Sequence, residues 1–408
     1  MLTKTFSQKG QALILIVLAI VGLVALVALA IDAGNAFSDR RHAQNAADTA
    51  ALAAALACAQ AIPPQPCNSS PLSDQVTTYA LDRARSNGYN NDSIPDTVTV
   101  NNPPVEGCNG TNGPYAGNNE YIQVIIHSTV DTYFGPIVGR DQLNNCVEAI
   151  ARAEKSKPPG EGAAIISLAC DGKRAIEAEG NTEIVVHGGG VYSNSNDAEA
   201  IYIQKLQNLQ LDPGYFAEAV GGVNVPVGYP YHDYVIPPLF ECPLPAEDPL
   251  LPQNYICEFN VPGDFKPPNG TDLTPGVYCI SGRFAEANIT GTGVTFIMLN
   301  YGISWQGNSQ MTLSAPTGDD DSTKGLLIYL PPSNYEAVTL NGTANTKFTG
   351  TILAPSSQVT ISGDLQGVGY FKSSFIGLKV KLTGKGEFTV NYDAGDVWKY
   401  APQIELSK

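Results

Sequence analysis

The first pattern along the chain is an uninterrupted apolar run. Residues 12–31 contain no charged side chain, and a helix of this length, at about 1.5 Å per residue, matches a hydrocarbon core of roughly 30 Å. A cleaved signal peptide has a shorter apolar region, of about 7 to 15 residues. The pattern therefore predicts an uncleaved transmembrane helix at 12–31, with a processed leader as the alternative.

A second helix-forming pattern comes directly after it and is poor in large apolar residues. From Asn35 to Ala61 the chain is rich in alanine, which favours helix. A face of methyl groups, such as that of Ala47, Ala51 and Ala54, lets another backbone approach closely. We favour packing of this face against sister helices in an assembly complex. Packing of an alanine-rich stalk on its own domain is the alternative.

The pattern then changes to a short helix followed by strands. Apolar residues lie four apart from Leu72 to Ala80, and Gly88 is a stop signal for this helix. The segments "DTVTV" and "YIQVIIHSTV" are rich in β-branched residues and predict strands, and "CVEAIARAE" predicts a strand or short helix. We predict a small α+β domain within 32–157, separated from the C-terminal part of the chain by a Pro- and Gly-containing linker at 158–162.

The C-terminal part has short apolar runs and an internal repeat. The segments "VTLNG", "VTISG" and "VKLTG" begin at Val338, Val359 and Val380, 21 residues apart. A fixed period of this kind is typical of stacked β-solenoid coils. We predict an all-β, right-handed β-solenoid at 163–396, and a β-sandwich with coincidental repeats is the alternative.

Three further features belong to this prediction. Gly342, Gly363 and Gly384 are expected at equivalent corners, where a positive φ or a close backbone approach favours glycine. The Pro-rich interval 221–275 does not fit the repeat and is expected to be an insertion. Residues 397–408 are expected to form a C-terminal tail.

The cysteines indicate the compartment. All eight lie after the apolar run and none forms a CxxC pair, which favours disulfides in an oxidising compartment over a thiolate metal site. Basic residues do not decide the orientation, because Lys4 and Lys9 precede the span and Arg40 and Arg41 follow it. We therefore place most of the chain outside the cytoplasm.

The pairing of the cysteines is largely open from sequence. Cys58 with Cys67 and Cys108 with Cys146 are the preferred local pairs. The Pro-rich interval is expected to be held by three further cysteines: Cys242, Cys257 and Cys279.

Charge and motif content argue against several functions. The formal net charge of −16 opposes nucleic-acid binding. The motifs HExxH, GxSxG, CxxC and the phosphate-binding loop are absent, and the four histidines (His42, His127, His187 and His232) are scattered. The carboxylates at 319–321 indicate a solvated turn, and Asp364 and Glu387 form no acid and base pair. We predict no enzyme, no metal and no cofactor.

The N-terminal segment "KGQALILIVLAIVGLVALVALAIDAGNAFSDRRHAQNAADTAALAAALA" resembles the N-terminal region of TadG-like proteins of the Tad (Flp-type) pilus assembly system. The positions that match the family pattern include Asp32, Gly34, Arg40, Gln44, Asp48 and Ala51. The resemblance implies a bitopic membrane protein with a cytoplasmic N-terminus at 1–11 and a role in assembling or anchoring a pilus or related surface structure. Some TadG-like proteins carry a von Willebrand factor A domain, but its D-x-S-x-S metal motif is absent from this chain.

Together these features predict a membrane-anchored extracytoplasmic structural or assembly protein. Its expected partners are membrane lipid through 12–31, other membrane helices, and a surface protein or glycan at the solenoid. Asp32 is expected at the outer membrane boundary, since a carboxylate within the hydrocarbon is unfavourable. A membrane-tethered adhesin unrelated to pili is the first alternative, and a polysaccharide-active β-helix enzyme is the second.

Overall fold

The computed structural model describes residues 11–61, 65–91, 96–232, 236–306, 309–318, 322–342, 346–363 and 369–407. The predictions for the N-terminal residues 1–10, for the carboxylates at 319–321 and for Asp364 lie outside these ranges. The chain forms two compact units: unit 1 comprises Met1–Ser156 and Pro402–Lys408, and unit 2 comprises Lys157–Ala401. The predicted linker lies directly after this division, and part of it, Pro159–Gly162, forms a short 3-10 helix.

Unit 1 begins with one long helix, α1, at Gln11–Ala59. Its apolar part is long and apolar enough to cross a membrane, and its large side chains from Leu13 to Ile31 are exposed. The alanine-rich part continues the same helix without a break. The apolar run and the alanine-rich segment are therefore a single rod.

The rest of unit 1 is a short helix and an antiparallel sheet. Helix α2 is Leu72–Ser86, and the first three strands are β1 (Thr97–Asn101), β2 (Tyr121–Asp131) and β3 (Gln142–Glu154). They pair antiparallel in the order β1-β2-β3. The segment that predicted a strand or short helix is thus a strand.

The methyl face of α1 packs inside unit 1. Ala47, Ala51 and Ala54 are fully buried, in a core with apolar residues of α2, β2 and β3. This corrects the favoured interpretation that the face contacts sister helices, because the chain's own sheet and second helix already occupy it. Small side chains are needed here since the helix backbone approaches the sheet closely.

Unit 2 consists of short parallel strands. In chain order the strands are β4 (Ala163–Ser167), β5 (Ile176–Ala178), β6 (Glu183–His187), β7 (Gly190–Ser193), β8 (Ile201–Ile203), β9 (Gln210–Leu211), β10 (Ala217–Ala219), β11 (Val223–Asn224), β12 (Phe259–Val261), β13 (Thr271–Leu273), β14 (Gly276–Ile280), β15 (Ile289–Thr292), β16 (Val294–Met298), β17 (Ile303–Trp305), β18 (Met311–Ser314), β19 (Leu326–Tyr329), β20 (Val338–Gly342), β21 (Thr346–Gly363), β22 (Gly369–Gly384) and β23 (Glu387–Asn391). Parallel pairing needs a crossover between partners, and each turn of the chain supplies one.

The three sequence repeats are paired in register. Val338 lies beside Val359 and Val359 beside Val380 in the strands β20, β21 and β22. The three glycines that end these strands are also paired with one another. The 21-residue period therefore equals the step from one strand to its parallel neighbour in this part of the ladder.

Two of these glycines differ in how strongly the structure disfavours a side chain. Gly384 has a φ of 129°, and a Cβ there would lie 2.5 Å from the carbonyl oxygen of Gly363. At Gly363 a Cβ would lie 3.1 Å from the Phe388 ring. A positive φ is thus required at Gly384, whereas close approach is the constraint at Gly363.

The order of strands along the ladder differs from their order in the sequence. The strands β4 to β6 pair with β7 to β9 on one side and with β22 and β23 on the other. The strands β10 and β11 extend the first side, whereas β12 and β13 pair with β14 and β15. The Pro-rich interval 221–275 contains β11 near its start and β12 and β13 towards its end, and its interpretation as an insertion stays a prediction.

An aromatic row runs through the unit 2 core. The ring centroids of Trp305 and Phe348 are 5.5 Å apart, and those of Phe348 and Phe371 are 5.7 Å apart. Phe284 and Phe388 extend the row at its two ends. Spacing of this kind follows from one aromatic residue in each of several neighbouring strand layers, and such pairs stabilise a core beyond their buried area.

The final strand returns to unit 1. Strand β24, Gln403–Leu406, pairs antiparallel with β3, and Gln403 lies beside Glu154. The predicted tail at 397–408 therefore contains a strand, because the free edge of β3 offers unpaired backbone groups. In the sequence, unit 2 is an insertion between two neighbouring strands of the unit 1 sheet.

Candidate membrane-proximal site

Polar residues of α1 bind the β2–β3 hairpin at three levels. At the first, the Gln44 side-chain amide donates to the Glu148 carbonyl oxygen at 3.0 Å and to Asp48 Oδ1 at 2.7 Å. Gln44 and Asp48 lie four residues apart and therefore on one helix face. Gln44 therefore joins the helix to β3, and Asp48 accepts a hydrogen bond from the same Gln44 amide.

The second level is a hydrogen-bond network around Asp39. Ser128 Oγ and Asn145 Nδ2 donate to Asp39 Oδ2 at 2.6 and 2.7 Å, and the Tyr89 hydroxyl donates to Oδ1 at 3.1 Å. Burial and the neighbouring Asp39 carboxylate raise the pKa of Tyr89. Sequence reasoning did not single out Asp39, although its spacing of seven residues from Asp32 places both on one helix face.

The third level is Asp32, directly after the apolar run. Its carboxylate accepts hydrogen bonds from the backbone N–H groups of Tyr133 at 2.7 Å, Phe134 at 3.1 Å and Gly135 at 2.9 Å. Asp32 is only 8% exposed. Three converging N–H groups compensate a buried carboxylate, because charge-assisted hydrogen bonds are stronger than neutral ones.

The hairpin tip, residues 132–141, is closed by its own hydrogen bonds. Asp131 pairs with Gln142 at its base, Thr132 N–H donates to the Asp141 carbonyl oxygen at 2.9 Å, and Arg140 N–H donates to the Gly135 carbonyl oxygen at 2.9 Å. A Cβ on Gly135 would collide with the backbone of Arg140 and the side chain of Thr132. The tip therefore has a defined shape.

The remaining motif positions have different environments. Ala51 is fully buried in unit 1. A Cβ on Gly34 would meet no atom within 4 Å, and Arg40 is exposed. The structure thus brings Asp32 and Gln44 onto the hairpin, with Asp48 bound to Gln44, but gives no packing reason for Gly34.

All eight cysteines are paired. The structure joins Cys58 to Cys67 and Cys108 to Cys146, which are the two pairs preferred from the sequence. The other disulfides are Cys170–Cys242 and Cys257–Cys279, which tie the Pro-rich interval to the strand layers of unit 2. Sequence reasoning did not assign Cys170 a role, because a separation of 72 residues leaves no local signal.

Charged side chains of unit 2 form ion pairs between strand layers. Glu199 contacts Lys173 at 2.9 Å and Arg174 at 3.2 Å and accepts a hydrogen bond from Asn224. Hydrogen bonds from Lys173 and Asn224 lower the pKa of Glu199 to about 2. Its carboxylate is therefore ionised and already bound by cations, unlike a general acid.

A second group of the same kind lies nearby. Lys381 Nζ contacts Glu177 at 3.1 Å and Glu179 at 2.6 Å, and these contacts raise the pKa of Lys381. His187 lies 2.8 Å from Asp212, and His232 contacts Glu218. Within the described residues, no group of three or more potential ligand side chains has the geometry of a metal site.

One comparison with known protein families matches the N-terminal segment. Residues 10–59 match the family described as putative Flp pilus-assembly TadE/G-like. None of the curated proteins matches the chain. A similar solved structure is that of the competence-associated pilin ComZ from Thermus thermophilus, with 12% identity, coverage of 78% of this chain and 89% of that chain, and a TM-score of 0.26.

The match covers the apolar run together with Asp32, Gln44, Asp48 and the buried alanine face. The resemblance noted in the sequence is confirmed for these residues. Residues 10–59 of this chain are thus similar to the family described as putative Flp pilus-assembly TadE/G-like.

Proposed function

We propose that this protein is a membrane-anchored, extracytoplasmic structural or assembly component of a Tad (Flp-type) pilus or a related surface structure. The observation that carries the proposal is the family match at residues 10–59, which coincides with almost all of α1. In this proposal residues 12–31 cross the membrane and residues 1–11 lie in the cytoplasm. The remainder of unit 1, after residue 31, and the whole of unit 2 lie outside the cytoplasm.

The four disulfides support this orientation. They join cysteines distributed from Cys58 to Cys279, all after the apolar run. Such bonds persist in oxidising compartments such as the periplasm or the cell surface. The exposed apolar run also needs a covering, since a stretch of this size is unfavourable in water.

Unit 2 is proposed to be a right-handed β-solenoid that serves as a contact module. Parallel pairing throughout the unit and the in-register repeats support this architecture. Its charged groups are engaged with one another between layers, as around Glu199 and Lys381, which favours a structural or binding role over catalysis. A rigid stack would present surface side chains at fixed spacings to a protein or glycan.

The first experiment tests the anchor and its partners. The native protein would be crosslinked in membranes and examined by mass spectrometry for its intact mass and its crosslinked neighbours. An unprocessed N-terminus crosslinked to pilus-assembly components is the expected result. A chain that has lost the apolar run, or one that crosslinks to no such component, would contradict the proposal.

A second experiment separates assembly from adhesion. Glu154 and Gln403 are paired neighbours, so residues 157–401 can be replaced by a short Asn-Gly turn that keeps β3 and β24 joined. Cells producing this variant would be compared with cells lacking the gene. If the gene is required for pili, the assembly proposal stands. If only surface binding is lost in both strains, the tethered-adhesin alternative replaces it.

A further inference from the structure

The hairpin tip exposes large apolar side chains although its backbone is well ordered by hydrogen bonds. Tyr133, Ile137 and Val138 are 74%, 83% and 78% exposed. Apolar side chains on a closed loop cannot turn inward without breaking the hydrogen bonds that close it. A contiguous patch of this kind marks an interaction surface.

The hairpin runs alongside α1 towards the apolar run. Its contacts with the helix are, in order, Gln44 with Glu148, Asp39 with Asn145, and Asp32 with the tip. From Gln44 to Asp32 the helix advances about 18 Å, and from Glu148 to Gln142 the strand advances about 20 Å. The helix and the strand advance by similar distances, so the tip lies at the level where the apolar run ends.

We propose that the hairpin tip is a second membrane contact, with Tyr133, Ile137 and Val138 inserted at the boundary between headgroups and acyl chains. The inference rests on the proposed membrane anchoring by residues 12–31. The Asp32 contact fixes the tip beside the point where the helix leaves the hydrocarbon. The protein is then held to the bilayer by a helix and a loop rather than by a single flexible tether.

Three observations favour lipid as the occupant of this surface. The tip lies beside the end of the exposed apolar run, because Tyr133 N–H binds Asp32 and the preceding residue, Ile31, is 45% exposed. It combines a tyrosine with aliphatic side chains, and tyrosine is enriched at membrane interfaces. Arg140, at the end of the tip, is exposed and would lie among headgroups.

The same contact explains how Asp32 is tolerated at this depth. A carboxylate near the hydrocarbon is unfavourable unless it has partners. The tip supplies three N–H groups to Asp32 and would bring apolar side chains to cover the contact from the lipid side. Asp32 is therefore a positioning residue for the loop.

The test uses the full-length protein in lipid nanodiscs and tryptophan fluorescence. The chain has two native tryptophans, Trp305 and Trp398, both buried in unit 2, and the unsubstituted protein gives their background signal. A tryptophan is introduced as Ile137→Trp, and its fluorescence is compared in ordinary lipids and in lipids brominated near the headgroup end of the acyl chain. We expect loss of fluorescence in the brominated lipids and a blue-shifted emission.

Two matched variants make the outcome specific. Tyr79→Trp replaces a 57% exposed aromatic residue on α2 and should show neither quenching nor a blue shift. Val21→Trp lies in the middle of the apolar run and should be quenched by lipids brominated near the methyl end. Quenching at Val21→Trp without quenching at Ile137→Trp would overturn the loop inference and leave the anchor intact. Absence of quenching at both would overturn the anchor as well.

Discussion

The contact between Asp32 and the hairpin tip can be tested by the change Asp32→Ala. The substitution keeps a good helix-forming residue and removes the carboxylate that binds three backbone N–H groups. We expect α1 to remain helical and the tip to open more often. The change therefore tests how the hairpin tip is held in place without disturbing the formation of α1.

The magnitude follows from the number and kind of hydrogen bonds lost. A hydrogen bond to a charged group contributes about 1.5 to 3 kcal/mol, but the N–H groups of an exposed loop regain water when the partner is removed. Loss of a side-chain cap on backbone N–H groups costs about 0.5 to 2 kcal/mol. For three N–H groups that bind one carboxylate we expect a loss of about 2 to 3 kcal/mol in the local opening free energy. Since each 1.4 kcal/mol or so changes an equilibrium constant about tenfold, amide exchange at the tip should become roughly 30- to 150-fold faster.

The assay is hydrogen exchange followed by mass spectrometry on the full-length protein in nanodiscs. Peptides that contain Tyr133 to Gly135 should exchange faster in Asp32→Ala, and Asp32→Asn should give a smaller effect because one acceptor oxygen remains. Asp82→Ala is the control, since the Asp82 side chain is 62% exposed on α2. Equal exchange at the tip in Asp32→Ala and in the unsubstituted protein would refute the claim that Asp32 holds the loop.

The remaining predictions concern packing and charge. Phe348→Ala should lower the free energy of unfolding of unit 2 by about 3 to 5 kcal/mol, because Phe348 is 2% exposed. Urea unfolding measures this change. As the control, substitution of the exposed neighbour, Lys347→Ala, should leave the urea midpoint unchanged. Ala51→Leu should destabilise unit 1 by about 1 to 3 kcal/mol through overpacking, whereas the exposed Asn45→Leu should not, as thermal unfolding would show. The pKa of Glu199 is lowered from 4.5 to about 2. Its contribution to the free energy of unfolding is therefore present above pH 4.5 and is lost as the pH falls towards 2. Glu199→Gln should accordingly lower the urea midpoint at neutral pH and converge with the parent protein in strong acid; an equal difference at both pH values would contradict the assignment.

Local repetition made part of unit 2 predictable. Val338, Val359 and Val380 stand at one position of a repeated pattern, and the structure pairs them in that register. The pairing of β22 with β4 and β5 joins residues about two hundred positions apart in the chain, as Lys381 and Glu177 show. No local sequence pattern specifies such a pairing, since it depends on which strands pack well against each other in the folded chain.

In unit 1 the sequence indicates that another backbone packs closely against α1, but not which backbone it is. Methyl groups at Ala47 and Ala51 predict close approach of another backbone, but they fit a sister helix and the chain's own sheet equally well. The choice depends on the remainder of unit 1, which covers the face completely. Strand β24 does not follow from the sequence because its Gln-Ile-Glu-Leu alternation is only four residues long, at the lower limit of a strand signal.

The insertion of unit 2 has a mechanical consequence for an anchored protein. Both of its covalent connections begin beside the paired residues Glu154 and Gln403, so a load on unit 2 reaches β3 and β24 together. Strand β3 is in turn joined to α1 by Gln44, whose amide binds the Glu148 carbonyl oxygen, and by Asn145, which binds Asp39. These side-chain contacts act in parallel along the helix, so no single one bears the whole load. Gln44, whose amide also binds Asp48, thus lies at the contact between α1 and β3, which gives a physical reason for polar residues within an otherwise methyl-faced helix.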